Sequence, residues 1–382
     1  MKAVVPSSSV DVDEAFFSAL AQPGLRGLRA YDPGHDLVAL RRAASQGLCE
    51  LGSNENPYGA SPAARIAMLD VMEDLHRYPD PLVGELKRAL AATHAVDTAQ
   101  LLLGNGSHEL LMQFAQVFAG PGSEVVASQY GFAVYALATQ AAGAQLRVAP
   151  AFARDHAMAR GHDLDAIAAA ITPATRLIYL ANPNNPTGTW FGRETFAAFM
   201  TRLPRDVLVV VDEAYAQFND AVDYGSALLL LHAHPNLIVT RTFSKAYALA
   251  GLRVGYAIAH PGLIAVMERV RESFNVNSVG LAAAQAVLDD NTYLQTTLAG
   301  NAQQREGLSR ALRERGWFVH PAQTNFLLVE FGPDTPVVEA TLLAQGAVVR
   351  PMAGYGLPDC LRITVGTAGE NQRLLAALDA VA

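Results

Sequence analysis

Short runs of consecutive apolar residues alternate with longer segments of mixed polarity from about residue 100 onwards. The apolar runs predict buried strands at residues 101–103, 124–127, 145–149, 176–181, 207–211, 237–240 and 254–259. The segments between them predict helices over residues 107–119, 132–142, 163–171 and 193–202. Strands that are apolar on both faces are typical of a mainly parallel sheet covered by helices on both sides. The pattern therefore predicts an α/β fold.

The pattern changes after residue 260. Long helices are predicted over 261–274, 278–290 and 293–315, followed by strands at 325–330, 346–350 and 361–365 and a closing helix near 369–381. This order predicts a second, smaller α+β domain. We therefore expect three parts: an N-terminal segment (1–50) that joins the small domain, a large domain (51–270) and a small C-terminal domain (271–382).

Composition excludes several classes of protein. The 382 residues are 51% apolar and 17% charged, which is too apolar for a disordered chain, and the net charge of −8 argues against binding to nucleic acid. No apolar stretch approaches the ~20 residues of a membrane helix, and the start MKAVVPSSSVDVDEAFF does not resemble a secretory signal. Two cysteines without a CxxC pair predict neither a disulfide framework nor a zinc site. We expect a soluble, cytoplasmic protein that binds no metal.

Lysine is scarce in this chain. Only three of the 28 basic residues are lysines, and lysine is the basic side chain that can act as a nucleophilic amine. Lys2 lies at the terminus, and Lys87 lies beside Arg88 on a helix face expected to be solvated. Lys245 alone follows a predicted buried strand, which makes it the candidate for amine chemistry.

Four polar segments follow predicted strands. They are Gly104-Asn105-Gly106-Ser107, Asn182-Pro183-Asn184-Asn185-Pro186-Thr187-Gly188, Asp212-Glu213-Ala214-Tyr215 and Thr242-Phe243-Ser244-Lys245, the last followed by Arg253. Each segment taken singly also fits an ordinary capped helix, a tight loop or a surface charge. Because the carboxyl ends of parallel strands share one sheet edge, where such sheets bind ligands, we expect the four segments to converge.

The combined groups match the requirements of pyridoxal 5'-phosphate. That cofactor needs a lysine for an imine, an acid beside the pyridinium nitrogen, hydrogen bonds to the ring oxygen and phosphate ligands. Lys245 is the candidate for the imine, Asp212 for the acid, and Tyr215 and Asn185 for the ring oxygen. The candidates for the phosphate are Gly106, Ser107, Ser244 and Arg253. The chain has neither the GxxxxGK[ST] nor the GxGxxG fingerprint, which argues against a P-loop nucleotide site and a nicotinamide-linked oxidoreductase.

The sequence resembles the fold-type I pyridoxal-phosphate aminotransferases, and more narrowly the histidinol-phosphate aminotransferases. The resemblance runs from about Tyr31 to the C-terminus, and its order and spacing are those of the family. The matching segments are SNENPYGASP (53–62), RYPDP (77–81), GNGS (104–107), NPNNPTG (182–188), VDEAY (211–215), RTFSKAYALAGLRVGY (241–256) and LRITVGT (361–367).

The resemblance implies a role for each matching residue. Lys245 would carry the cofactor and move the substrate α-proton, with Asp212 and Tyr215 as its catalytic partners. The cofactor contacts it implies are Gly106, Ser107, His108, Phe132, Asn185, Asp212, Tyr215, Ser244, Lys245, Arg253 and Tyr78. Tyr78 would reach the cofactor of a neighbouring subunit, which implies a homodimer.

The resemblance also implies a substrate pocket. Arg362 would pair with the carboxylate of glutamate or 2-oxoglutarate, since a guanidinium fork suits a carboxylate. The other implied substrate contacts are Tyr31, Asn54, Asn325 and Arg350.

Two positions depart from the family pattern. His108 stands where the family usually has an acidic residue. The segment Tyr130-Gly131-Phe132 replaces a proline-led aromatic segment, so Tyr130 is an alternative to Phe132 as the ring stacked on the cofactor.

The preferred function is transamination of L-histidinol phosphate with 2-oxoglutarate in histidine biosynthesis. Arg350 and Arg362 are expected to serve a phosphate and a carboxylate in alternation. The alternative on the same scaffold is an aromatic amino-acid aminotransferase whose pocket uses Tyr31, Phe132 and Tyr256. Less favoured are a threonine-phosphate decarboxylase and a noncatalytic binder of the cofactor. A transcription regulator would need a DNA-binding domain, for which the chain leaves no room.

Overall fold

The computed structural model describes residues 13–29, 34–43 and 47–380. Within these residues the helices are α1 Glu14–Leu20, α2 Leu37–Ala43, α3 Pro62–Asp70, α4 Gly84–His94, α5 Ser107–Phe118, α6 Ala133–Ala141, α7 Leu164–Ala169, α8 Arg193–Thr201, α9 Pro261–Met267, α10 Ser278–Asp289, α11 Asn291–Glu314, α12 Thr335–Ala344 and α13 Ala368–Leu378. The strands are β1 Cys49–Glu50, β2 Leu101–Gly104, β3 Glu124–Ser128, β4 Gln145–Ala149, β5 Thr175–Ala181, β6 Leu208–Asp212, β7 Leu237–Thr242, β8 Gly255–Ala259, β9 Phe318–Val319, β10 Phe326–Glu330, β11 Ala347–Val348, β12 Arg350–Pro351 and β13 Cys360–Thr364. None of the described helices is long and apolar enough to cross a membrane.

A seven-stranded sheet forms the centre of the larger part. Its strand order is β2-β8-β7-β6-β5-β3-β4, and every strand except β8 runs in the same direction. Alternate residues of β6 enter different cores: Val210 packs beneath α5 and α6, whereas Val209 and Val211 pack beneath α7 and α8. Burial on both faces is why these strands are continuously apolar. The predicted α/β fold class is confirmed.

Three predicted elements differ from the structure. The strand predicted at 346–350 is two short strands, β11 and β12, which pair in different sheets. The strand at 254–259 is antiparallel to both neighbours, because the short connection from β7 to β8 returns the chain directly. The helix predicted over 261–274 ends at Met267. Beyond it, Glu268 pairs with Lys87 of α4, and Phe274 takes a positive φ of 60° that no helix accommodates.

Lys87 does not lie on a solvated face, so that prediction was wrong. Its Nζ lies 2.8 Å from Glu268 Oε1, and only 16% of the side chain is exposed. The carboxylate is shared with Arg271, whose Nε is 2.6 Å from Glu268 Oε2. Helix periodicity could not reveal this contact, because α9 brings the acidic partner from a distant part of the chain.

The smaller part is built on a four-stranded antiparallel sheet in the order β12-β13-β10-β9. Helices α11, α12 and α13 cover it, and Leu51 before the large sheet joins its core. Helix α10 packs instead with α3 and α4, in the core behind the central sheet. The boundary between 270 and 271 remains a prediction, and α10 associates with the larger part.

The N-terminal segment contacts both parts of the molecule. Gly24 lies so close to Gln140, in the last turn of α6, and to Gly143 just after it, that a side chain there would collide with their backbone. Farther along, Nε2 of His35 lies 3.1 Å from Oε1 of Glu339 on α12. His35 therefore contacts the smaller part and Gly24 the larger part, and the assignment of residues 1–50 to the small domain stays a prediction.

Candidate active site

A cavity of about 460 Å³ lies where the carboxyl ends of β2, β5, β6 and β7 meet the smaller sheet. Because these strands share one direction, the turns that follow them open at one edge, as the sequence predicted. Twelve predicted site residues line this cavity: Asn54, Ser107, His108, Phe132, Asn185, Asp212, Tyr215, Ser244, Lys245, Arg253, Arg350 and Arg362.

Lys245 follows β7, and its amine lies in the cavity. Nζ donates to the carbonyl oxygens of Ser53, at 3.2 Å, and Asn54, at 3.1 Å. Burial, with a smaller contribution from the positive charge of Arg362, lowers the pKa of the Lys245 amine to about 8. A lower pKa enlarges the fraction of neutral amine near pH 7, and the neutral amine is the nucleophile.

Asp212 ends β6 on the floor of the cavity and is only 6% exposed. Burial raises the pKa of its carboxyl to about 6, opposed by hydrogen bonds from the backbone N–H of Ala214 (3.2 Å), the hydroxyl of Tyr135 (3.2 Å) and the hydroxyl of Thr240 (3.3 Å). Among the described residues no basic side chain forms an ion pair with this carboxylate. A buried carboxylate in this setting favours a ligand that brings its own positive charge.

One end of the cavity is suited to an anion. Ser107 and His108 open helix α5, while Arg253 places Nη1 3.4 Å from the hydroxyl of Ser244. Gly255 lets the backbone of β8 approach Ser107, since a Cβ there would collide with the Ser107 amide. A helix N-terminus, two hydroxyls and a guanidinium form a phosphate site.

The structure places two neighbouring candidates for the phosphate end, Gly106 and His108, differently. Gly106 does not line the cavity, because its N–H donates to the carbonyl oxygen of Gly104 at 2.8 Å. Its phosphate contact stays a prediction. His108 lines the cavity, and burial followed by the charge of Arg253 lowers the pKa of its imidazole.

Tyr215 and Asn185 project into the middle of the cavity. The hydroxyl of Tyr215 accepts from Nδ2 of Asn54 at 3.0 Å, and its ring packs edge-on against Phe326. Asn185 comes from the proline-rich turn after β5, and its Oδ1 accepts from Nη1 of Arg362 at 2.7 Å. The predicted amide and phenol therefore lie together, linked to the arginine at the substrate end.

The smaller sheet supplies both arginines. Arg350 and Arg362 are cross-strand partners of β12 and β13, so that two residues twelve positions apart in sequence become neighbours. Arg362 is 8% exposed and donates from Nη2 to the carbonyl oxygen of Gly52 at 2.7 Å. Both arginines line the same cavity as Lys245, and they give it a positively charged wall suited to an acidic substrate.

Several predicted residues lie elsewhere. Tyr78 is 81% exposed, away from this chain's cavity, and stacks on Phe274 with 4.6 Å between ring centroids. Asn325 lies behind the wall and donates to the carbonyl oxygen of Asn54 at 3.0 Å. Tyr130 packs with the smaller sheet, so Phe132 is the aromatic residue of this segment in the cavity. Tyr31 lies outside the described residues.

Tyr256 was wrongly expected to form part of an aromatic pocket. It is 1% exposed in the core behind the sheet, where its hydroxyl lies 2.8 Å from Nε2 of His94. Along β8 it alternates with Ala257, which packs in the core on the opposite face of the sheet, a parity that the strand run by itself did not assign.

Sequence reasoning missed three residues of the site. Glu55 lines the cavity, and its charge acts on Lys245. Tyr135 and Thr240 hold the carboxylate of Asp212. Glu55 could have been noticed inside the segment SNENPYGASP, whereas Tyr135 sits within an ordinary apolar helix pattern and gave no signal.

A mainly parallel sheet with a buried lysine, a buried carboxylate and an anion site at one edge defines an enzyme of the pyridoxal-phosphate type. The chain belongs to the aminotransferase class I and II family, whose model matches residues 46–378.

Relatives agree along nearly the whole chain. Histidinol-phosphate aminotransferase 2 from Methylococcus capsulatus is 46% identical over 95% of this chain and 98% of its own length. The enzyme of that name from Pseudomonas aeruginosa is also 46% identical, over 96% of this chain and 98% of its own length. The solved structure of histidinol-phosphate aminotransferase from Sinorhizobium meliloti in complex with pyridoxal-5'-phosphate is 31% identical, with a TM-score of 0.83 over 94% of this chain and 97% of that one.

Proposed function

We propose that this protein catalyses transamination between L-histidinol phosphate and 2-oxoglutarate, giving imidazole-acetol phosphate and L-glutamate. The observation that carries the proposal is the pair of adjacent arginines, Arg350 and Arg362, facing Lys245 across one cavity. Such a pair serves a substrate phosphate in one half-reaction and a second carboxylate in the other. The names of the relatives support the same substrate class.

The residues present fit pyridoxal phosphate. Lys245 offers an amine for covalent attachment, Asp212 a buried carboxylate for the ring nitrogen, and Ser107, Ser244 and Arg253 donors for the phosphate. Phe132 offers an aromatic face beside the ring position. When bound, the cofactor supplies an electron-withdrawing ring that stabilises the negative charge developed at the substrate α-carbon.

Lys245 is the proposed acid and base of the reaction. Its lowered pKa, about 8, keeps a useful fraction of the amine neutral and able to accept a proton near pH 7. The carbonyl oxygens of Ser53 and Asn54 would hold the free amine in the cavity, where it can exchange a proton with the substrate.

Tyr215 and Asn185 are proposed to hold the ring oxygen of the cofactor. Asn54 fixes the Tyr215 hydroxyl, and Arg362 fixes the Asn185 amide oxygen, which leaves the amide N–H₂ of Asn185 to donate.

The proposed substrate contacts are Arg362 for the carboxylate, Arg350 for the phosphate or second carboxylate, and Asn54, Asn325 and Tyr31 around them. His108 is proposed to support the cofactor phosphate. The Gly106 amide would need to leave Gly104 to join it.

Substrate preference tests this proposal directly. We expect kcat/KM for histidinol phosphate to exceed that for phenylalanine by about a hundredfold or more, because a site built for a charged group leaves buried donors unpaired with an apolar one. In Arg350→Gln the value of kcat/KM for histidinol phosphate should fall, while that for phenylalanine should change little, so the ratio of the two should decrease. A hundredfold preference for phenylalanine would contradict the proposed substrate, and release of carbon dioxide from threonine phosphate would indicate the decarboxylase.

The active unit is proposed to be a homodimer in the cytoplasm. A band of apolar side chains lies exposed between residues 66 and 82, comprising Ile66, Leu69, Met72, Leu75, Tyr78 and Leu82. Exposed apolar patches of this extent mark protein interfaces. Tyr78 lies in that band, and stacking on Phe274 holds its ring outward. We propose that the band packs against a second copy and that Tyr78 contacts the partner's cofactor phosphate.

Mixing two inactive variants tests where Tyr78 acts. Lys245→Ala and Tyr78→Ala are each expected to lose most activity as homodimers. In the mixed dimer, the site with Lys245 receives Tyr78 from its partner, whereas the other site lacks both residues. Random pairing of equal amounts makes half of the dimers mixed, so about a quarter of all sites should be complete. Activity is measured after unfolding and refolding the two chains together. Recovery no greater than the sum of the separate variants would show that Tyr78 does not act across the interface.

A further inference from the structure

Tyr135 lies directly beneath the cavity, next to Asp212. It is the third residue of α6 and is 1% exposed. Its hydroxyl donates to Oδ2 of Asp212 at 3.2 Å. Among the described residues it is the one donor to that oxygen, because Ala214 and Thr240 both donate to Oδ1.

The ring of Tyr135 is held from two sides. It stacks on Tyr179 of β5, with 4.8 Å between centroids and an interplanar angle of 4°. Phe132 packs edge-on against it at 5.9 Å and 90°. Tyr179 is itself fixed, because its ring is fully buried in the core beneath α5 and α6. The Tyr135 hydroxyl therefore has little freedom to turn away from the carboxylate.

We propose that Tyr135 is a positioning residue, which keeps Asp212 ionised and oriented toward the ring nitrogen of the bound cofactor. The inference rests on the proposed function. A hydrogen bond donated to a carboxylate stabilises its charged form, and the effect is larger in a dry site than in water. Without that bond the buried carboxylate competes more strongly for the proton that it shares with the ring nitrogen.

The other titratable groups around Asp212 do not stabilise its ionised carboxylate through Oδ2. The charge of Glu213 opposes ionisation of Asp212, and its carboxylate is occupied by Arg241 at 2.6 Å. The remaining titratable groups are Tyr215, which also lies in the cavity, and Lys245, which would be attached to the cofactor. None of these is a hydrogen-bond donor to Oδ2.

The stack offers a matched pair of variants. Tyr135→Phe keeps the ring and removes the hydrogen bond to Asp212. Tyr179→Phe removes an equally buried hydroxyl from the same stack, and that hydroxyl is bonded to a backbone carbonyl far from the carboxylate. Both proteins are reconstituted with pyridoxal phosphate and compared with the wild type in cofactor absorption and in the histidinol-phosphate half-reaction.

In Tyr135→Phe the pH midpoint of the visible band of the Lys245-bound cofactor should rise by about one pH unit, because a less protonated ring nitrogen repels the nearby proton less. The half-reaction at saturating substrate should slow about tenfold, while the substrate concentration for half-maximal rate changes less than twofold, since Tyr135 touches no substrate. Tyr179→Phe should match the wild type in all three measurements.

The outcomes separate the two proposals. Equal behaviour of Tyr135→Phe and Tyr179→Phe, or a Tyr135→Phe midpoint equal to the wild type, overturns the role of Tyr135 while the proposed function stands. A wild-type protein that binds pyridoxal phosphate, shows the visible band and yet does not convert histidinol phosphate overturns the proposed substrate alone. A wild type that takes up no cofactor overturns both.

Discussion

Replacing Lys245 with alanine is expected to lower the rate of transamination by at least about ten-thousandfold. The variant loses both the covalent attachment of the cofactor and the group that transfers the proton, each of which contributes orders of magnitude. The wild type should show a visible absorption band that disappears on reduction with borohydride. In Lys245→Ala the band should be altered, and borohydride should no longer link cofactor to protein.

Two further lysine variants control this experiment. Lys245→Arg keeps a positive charge in the cavity but offers no nucleophilic amine, so it should be as inactive as the alanine variant. Lys87→Ala removes the other described lysine, which pairs with Glu268 away from the cavity, and should retain the band and most of the activity. A Lys245→Ala protein with near-wild-type turnover, or a wild type without a bound-cofactor band, would refute the central assignment.

Replacing Asp212 with asparagine is expected to lower turnover by about a thousandfold, the upper end of what one preorganised electrostatic group contributes. The amide has nearly the same shape but cannot carry the negative charge that keeps the ring nitrogen protonated. Because asparagine does not titrate, the deficit should persist from pH 5 to pH 8. Burial raises the pKa of Asp212 to about 6, and a positively charged ring nitrogen beside it should lower that pKa.

Asp212→Glu is the control for that substitution, since it restores the charge at the cost of one extra methylene. It should recover part of the activity that Asp212→Asn loses, and its cofactor spectrum should lie closer to that of the wild type. Both variants are compared by rapid-mixing measurement of the half-reaction. If the asparagine and glutamate variants were equally impaired, the geometry of Asp212 would matter more than its charge.

Local pattern was enough to predict the central sheet. Val207–Val211 and Leu237–Val239 are apolar without interruption, and all of them except the half-buried Leu208 are buried, as is typical of strands covered on both faces. Because those strands share one direction, Asp212 and Lys245 were expected at the same edge. The cavity that both residues line confirms that placement.

Predictions failed where a distant segment determined the surroundings of a residue. Lys87 was expected to be solvated, but it pairs with Glu268, which follows α9. Tyr256 was considered for a substrate pocket, but its position on the strand directs its side chain toward His94. Each of these outcomes depends on contacts between chain segments, which a linear pattern does not encode.

The sequence by itself determined which chemistry is available: one lysine after a strand, a carboxylate after another, and turns rich in hydroxyl, amide and glycine. These follow from local rules, because strand ends and turns are set by residues next to one another. Only the tertiary structure decided how those groups act together. It placed Arg350 beside Arg362 across two strands and set Tyr135 under Asp212 through the packing of α6 on β5 and β6. Such distances arise from the packing of helices and sheets in three dimensions, and that packing also sets the pKa values that the chemistry requires.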